Sequence, residues 1–267
     1  MPVLTLLSDY DLAGPYVAEI KGIILRIAPD ATVVDISHDI RNHEIIQAAF
    51  NLARSVSFFP ANTVHIVLVN PNHGSDLRPI IIESQSSFFV GFDSGLLVPA
   101  ARKSGIKKVY EITNSKILPE RESDTFFGRD VLAPTGALLA RGMLPSEIGK
   151  EVSEYVCMCD FEVEISENRV RGRVVHIDSL GNLETSIESR HLQRIGITEN
   201  SVLIVNILGK EYKMPFVRKY SAVNKDEPLV CICGGYVEIS RYLGNASSSL
   251  GHVKKGDDVS IAVAPIF

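Results

Sequence analysis

The chain has 267 residues, 45% hydrophobic and 22% charged, which fits one large or two modest globular domains and excludes global disorder. Its 27 basic and 32 acidic side chains leave a net charge of −5. Residues 1–150 carry 14 basic and 16 acidic groups and the remainder 13 and 16, so neither half has the basic footprint of a nucleic-acid binder.

The first residues carry no positive cluster and meet Asp9 early, so they read as a strand rather than a signal peptide. The longest apolar stretch, residues 131–140, contains Pro134 and is too short to span a bilayer. No basic amphipathic segment suggests a membrane surface. These features predict a cytoplasmic protein without nucleic-acid or membrane partners.

Residues 3–7 form a short apolar strand. Pro15 opens a helix to about residue 26, at a position where its missing N–H costs nothing. Residues 32–36 are β-branched and strand-like. Residues 43–57 place Ile45, Ile46, Ala49, Phe50 and Ala53 at helical spacing. Strands at 64–69 and 79–83 flank the turn-rich loop Asn70-Pro-Asn-His-Gly-Ser-Asp. A strand at 88–91, a helix at 95–103 and a strand at 108–112 follow. Residues 129–141 predict a helix kinked by Pro134, with Gly142 beyond its end. This alternation is α/β grammar.

After residue 150 the pattern changes to short strands at 162–165, 169–177, 202–208, 211–216, 229–233, 236–240 and 258–264. Regular spacing with turn signals predicts a small sandwich or barrel. The expected organisation is an α/β domain over residues 1–155, then an all-β barrel domain over residues 160–267.

The cysteines form two C-x-C pairs, Cys157/Cys159 and Cys231/Cys233. On strands that spacing puts both sulfurs on one face. A four-thiolate zinc site and buried reduced thiols are both readings; structural zinc usually uses wider turns, which favours the thiols and no metal.

Several polar residues fall just past predicted strands: Asp9, then Asn70 with Asn72 and His73, then Asp93. Open α/β sheets bind ligands at that edge, although each residue alone is also a turn former. Dinucleotide, phosphate-loop, nucleophile-elbow and zinc-protease signatures are absent.

Seven blocks occur in a telling order. They are Ser8-Asp9, Val34-Asp-Ile-Ser-His38, Phe59-Pro-Ala-Asn-Thr-Val64, Gly91-Phe-Asp-Ser-Gly-Leu-Leu97, Thr125-Phe-Phe-Gly-Arg-Asp130, Ile177-Asp-Ser-Leu-Gly-Asn182 and Gly235-Tyr-Val-Glu-Ile239. Together they resemble the S-adenosylmethionine (SAM) hydroxide adenosyltransferase family, relatives of the SAM-dependent fluorinase and chlorinase. The resemblance implies an α/β domain, a β-barrel domain and a homotrimer with nucleoside sites between subunits. It also implies substitution at the 5′ carbon of SAM, giving adenosine and methionine. SAM is the substrate, and its sulfonium is already activated, so no cofactor or metal is expected.

Carried over residue by residue, Asp9 matches the carboxylate that holds the ribose hydroxyls. Asp178 and Asn182 match residues contacting the methionine amine and the adenine. Cys233 stands where the family has a serine that helps hold methionine. Glu238 lies in the family's Leu-Glu-Ile block, and Arg241 and Ala246 match positions near adenine. The departures fall on the chemistry. The hydrolytic members' Asp-Arg-His set is Asn70, Leu77 and Phe127 here, and an early family Asp is Gly14. Arg78 adjoins Leu77 but would face the other way in a strand. His73 occupies a nucleophile-contacting position of the halogenases, so Asn70 and His73 are the candidate catalytic residues. The halogenase signature Tyr is Asn70, and the fluorinase's extra loop between Glu83 and Phe88 is missing. Two functions stay open: slow cleavage of SAM or a related 5′-substituted adenosine, and non-catalytic nucleoside binding. A generic α/β hydrolase is a third reading without a nucleophile motif.

Overall fold

The computed structural model describes residues 1–41, 44–70, 77–121, 123, 125–158 and 163–264. The chain divides into two compact units, Met1–Met158 and Cys159–Phe267.

The first unit is α/β. Its sheet contains β1 (Val3–Ser8), β2 (Thr32–Ser37), β3 (Thr63–Leu68), β4 (Pro79–Ser84), β5 (Ser87–Phe92), β6 (Ile106–Ile112) and β7 (Gly149–Val152), ordered β2-β1-β3-β5-β4-β6-β7. The first four strands of that order run parallel; β4, β6 and β7 pair antiparallel. β5 therefore lies between β3 and β4, which the linear pattern did not reveal. Helices α1 (Tyr16–Ile27) and α4 (Ala133–Ala140) pack together, as do α2 (Ile45–Ser55) and α3 (Val98–Lys103), and the short α5 (Pro145–Ile148) leads into β7.

β1 and β3 are buried along nearly their whole length, as parallel strands covered on both faces must be. Leu4 and Leu6 of β1, with Val64, Ile66 and Leu68 of β3, share a core with Ile20, Ile24, Val131, Leu132 and Ala137. Pro15 is the residue before α1, one position earlier than predicted. The predicted kink at Pro134 is a wide π turn over Gly128–Leu132, in which the Ala133 N–H reaches back to the Gly128 carbonyl. Pro134 has no N–H to continue the regular ladder.

The second unit is rich in antiparallel sheet. It contains β8 (Glu164–Ile165), β9 (Arg169–Ile177), β10 (Leu183–Glu188), β11 (Val202–Ile207), β12 (Lys210–Pro215), β13 (Pro228–Cys233), β14 (Tyr236–Arg241) and β15 (Asp258–Val263). The main path is β12-β11-β15-β9-β10-β14-β13. A parallel bridge between Phe216, just after β12, and Val230 of β13 nearly closes it into a barrel. Two short helices, α6 (Ser189–Arg194) and α7 (Ala246–Ser249), interrupt the strands, so the unit is not purely β. The β11–β12 turn is Leu208-Gly209, both at positive φ, one residue earlier than the sequence suggested. Among the described residues no helix is long and apolar enough to cross a membrane.

A buried histidine ties the first unit's stability to pH. His65 on β3 is fully buried, its Nδ1 lies 2.8 Å from Thr5 Oγ1, and its ring stacks on Phe89 at 5.0 Å. Burial lowers its pKa from 6.5 to about 4. The unfolded chain then takes up a proton that the native state refuses. This contribution is present above about pH 6.5 and is lost as pH falls toward 4. We expect urea unfolding to show stability falling by roughly 2–3 kcal/mol from this group between pH 7 and 4.5. His65→Leu should flatten that part of the profile at a fixed cost in stability. Parallel profiles for both proteins would remove His65 as the source.

Candidate functional site

The strand order makes one edge of the first sheet special. β1 is followed by a neighbour on one side, β2, and then by β3 on the other. The crevice beyond the carboxyl ends of β1 and β3 is therefore a topological switch point, where ligands bind in open α/β sheets. Ser8 and Leu68 pair directly at these ends. Asp9 follows Ser8 and Asn70 lies two residues beyond Leu68, and both are half-buried. His73, the other candidate catalytic residue, falls outside the described residues.

Asp93 also lies at this edge, after β5, but it is occupied. Its Oδ2 accepts from Arg78 Nε at 2.8 Å and its Oδ1 from the Val156 N–H at 2.8 Å. Arg78 also donates to the Glu154 carbonyl. Asp93 is thus a structural ion-pair partner that ties the segment after β7 to the sheet.

Tyr10, beside Asp9, was not singled out in the sequence. Its ring meets Phe126 and Tyr16 at centroid distances of 5.6 and 6.1 Å. Burial, then the Asp9 charge, push its hydroxyl well above the ordinary tyrosine range, so it stays a neutral donor. Gly128 makes room for it: a Cβ there would lie 2.6 Å from the Tyr10 hydroxyl oxygen. That glycine opens the π turn, a feature often found at functional sites.

The second unit gathers its candidates into two adjoining groups. In the turn between β9 and β10, Asp178 Oδ1 accepts from the Leu180 and Asn182 N–H groups at 2.9 and 2.8 Å. Its Oδ2 accepts from Asn182 Nδ2 at 2.9 Å. Asp178 and Asn182 are thus locked together. The Ser247 N–H donates to the Gly181 carbonyl at 2.9 Å, which docks this turn on the start of α7 and brings Ala246 to it.

The second group lies on paired strands. Glu238 is in register with Glu184 on one side and Cys231 on the other. Glu184 and Glu238 are only 4% and 2% exposed. Ligand atoms of Glu184, Cys233 and Glu238 lie within 4.8 Å of one another. Glu238 Oε1 accepts from Ser240 Oγ at 2.5 Å, Tyr220 OH at 2.6 Å and Cys231 Sγ at 3.7 Å. Burial and then Glu238 push both the Cys231 thiol and the Tyr220 hydroxyl above their ordinary values, so both remain neutral donors to an anchored carboxylate. Arg241 ends β14 and is half-buried. Glu184 was missed because polar residues inside β10 read as a loop. Cys157 is exposed, and Cys159 is outside the described residues.

A separate groove of about 570 Å³, lined by Glu164, Arg169, Arg171, Asn206, Asp258 and Ser260 among others, contains none of these candidates.

Comparison with known proteins decides the family. Models of the SAM hydroxide adenosyltransferase N-terminal and C-terminal domains match residues 4–149 and 172–260. The chain belongs to the SAM hydroxide adenosyltransferase family. An (R)-S-adenosyl-L-methionine hydrolase of Methanocaldococcus jannaschii is 32% identical, over 98% of this chain and 96% of that protein. A fluorinase of an Actinoplanes species is 24% identical over 90% and 91%. A crystal structure of an uncharacterized conserved protein from Thermotoga maritima superposes with a TM-score of 0.90 at 30% identity, covering 97% of this chain and 99% of that one.

Within this family member, two of the three positions that resemblance assigns to water handling are engaged in packing. Leu77 packs against the first unit's core. Phe127 joins the same core, lies 6.4 Å from Phe92, and carries the Arg121 guanidinium 4.6 Å above its ring.

The turn carrying Asp178 and Asn182 has a built-in test. Gly181 has φ +85°, and a Cβ there would lie 2.2 Å from the Asn245 side chain. Asn245 cannot swing away without losing its bond to the Ser248 N–H at 2.8 Å. Gly209 has φ +74° with open space around it. Gly209→Ala should cost about 1 kcal/mol, the backbone penalty alone. Gly181→Ala should cost about 1–3 kcal/mol more, because overpacking adds to that penalty. Equal costs in denaturant unfolding would mean that the turn and α7 are not packed as described.

Proposed function

We propose that this chain binds SAM, or another 5′-substituted adenosine, and cleaves it slowly by substitution at C5′. The observation that carries the reading is the Asp9 carboxylate, which stands at the switch point of the sheet. A carboxylate there can accept both hydroxyls of a ribose cis-diol. Asp178 and Asn182 are assigned to the methionine amine and the adenine, Cys233 to methionine, and Arg241 and Ala246 to the adenine side. Glu238 is assigned to the same ligand-binding set.

In the reaction a water oxygen bonds to C5′ as the C5′–S bond breaks. Sulfur departs with the bonding pair as the neutral thioether of methionine, and water's proton passes to a base. The leaving group is already positively charged, so the protein's task is alignment and exclusion of competing water. Asn70 orients a water through its amide but cannot take its proton. His73 is assigned that role. Phe127 makes the opposite wall apolar.

The packing of Leu77 and Phe127 favours a second reading, a nucleoside-binding protein without turnover. Incubation with SAM, followed by chromatography, separates the two. Slow appearance of adenosine and methionine in equal amounts supports cleavage. No product with retained adenosine binding supports the second reading, and neither product nor binding removes both. Asp9→Ala should weaken adenosine binding by about 2–3 kcal/mol in calorimetry, since two ribose hydroxyls lose a charged acceptor. An unchanged affinity would take Asp9 out of the site. His73→Ala should abolish whatever turnover the wild type shows; an unaltered rate would leave His73 without a catalytic role. We also propose a homotrimer, which light scattering at micromolar concentration will support or exclude.

A further inference from the structure

We infer that Lys21, Asp35, His38 and Ser8 form a relay of polar contacts that positions the Asp9 carboxylate for the ribose hydroxyls of a nucleoside. The inference rests on the reading of Asp9 given above. None of the four residues is assigned a substrate contact; they act through the segment that carries Asp9.

The relay begins at the surface of α1. Lys21 Nζ donates to Asp35 Oδ2 at 2.6 Å. The other oxygen, Asp35 Oδ1, lies 3.1 Å from His38 Nε2, a close polar contact that falls short of hydrogen-bond geometry. His38 Nδ1 lies 2.6 Å from Ser8 Oγ. Ser8 Oγ in turn accepts from the Tyr10 N–H at 3.4 Å. The His38 side chain is 3% exposed and Ser8 is fully buried, so bulk water cannot replace these partners.

The partners set the proton positions. Burial alone would raise the Asp35 pKa, but its polar neighbours Lys21 and His38 together outweigh it and hold the carboxyl below its ordinary value. An ionised Asp35 only accepts, so the imidazole proton belongs on Nε2. Nδ1 is then an acceptor and takes the Ser8 O–H. That leaves the lone pairs of Ser8 Oγ toward the Tyr10 amide.

Backbone bonds reinforce the link. The Asp11 N–H donates to the His38 carbonyl at 2.9 Å, and the Ile40 N–H to the Ser8 carbonyl at 3.4 Å. Asp11 sits at φ +54°, and its Oδ1 accepts from the Ala13 and Gly14 N–H groups at 2.7 and 3.3 Å. Asp9 is thus bracketed by residues fixed to the end of β2.

The order Asp–His–Ser suggests a nucleophilic triad, but the geometry opposes it. Ser8 has no exposed surface, and its hydroxyl is engaged by His38 and an amide. A serine nucleophile must reach its substrate. Positioning is the role that these contacts leave.

Three measurements test the relay on the intact protein. In the ligand-free state, imidazole ¹⁵N shifts should show His38 protonated on Nε2. Amide exchange at Tyr10 and Asp11 should rise at least about tenfold in Ser8→Ala and His38→Phe, because an anchoring hydrogen bond is gone. Adenosine calorimetry, run where circular dichroism shows each variant folded, should give about tenfold weaker binding for the same two. His38→Asn keeps an acceptor toward Ser8 and should recover affinity to within about threefold. A purely structural role would lower melting temperatures and leave the affinity of the folded variants unchanged, which overturns the proposal. An Nδ1–H tautomer, or unchanged exchange at Tyr10 and Asp11, also overturns it. If wild type binds no adenosine, the nucleoside reading itself falls, and the ligand-free measurements then decide whether the relay holds this segment.

Discussion

The parallel pairing of β1 with β2 on one side and β3 on the other is the constraint on which the candidate site depends. Once β1 is central, it is buried on both faces and its register is fixed by the core. Ser8 is then carried into the interior, and Asp9 is the next residue and only partly exposed. The same pairing places Ser8 opposite Leu68, so the chain beyond β3 leaves the sheet beside Asp9. The location of the ligand edge is therefore a consequence of core packing in Leu4, Leu6, Val64 and Ile66, none of which is polar.

The second unit solves a different problem: how to bury a carboxyl group among neutral hydrogen-bond donors. Glu238 sits between the neighbouring strands of a sheet and is met by a phenol, a hydroxyl and a thiol. Neutral donors satisfy its Oε1. The unit thus keeps a polar cluster on one face while its opposite face, with Val237 and Ile239, belongs to the apolar core. Strand alternation alone separates the two functions.

Much of the first unit was legible because its signals are local. β1, β2 and β3 are short apolar or β-branched runs, and Asp9 and Asn70 follow them directly. β10 was not legible. Glu184, Thr185 and Ser186 look like a loop in isolation, and only tertiary burial makes them a strand. The Leu208-Gly209 turn was displaced by one residue because Leu208 adopts a positive φ that its side chain does not advertise. The engagement of Asp93 was hidden for a further reason. Its partners, Arg78 and Val156, are 15 and 63 residues away, and no period in the sequence links them. The Ser8–His38 contact spans 30 residues and exists only because β1 and β2 end side by side.

The wide turn at Gly128–Leu132 bears on how this segment can change in length. A π turn holds one residue more than the α-helical path it replaces. Each residue of α-helix advances the faces by about 100°. Downstream, α4 lies so close to β3 that a Cβ on Gly136 would come within 2.3 Å of Ile66. Deleting one residue from the turn would rotate α4 and carry Gly136 away from that contact, putting a larger side chain against β3. The turn and the glycine must therefore change together, and a length change here calls for a second, compensating one.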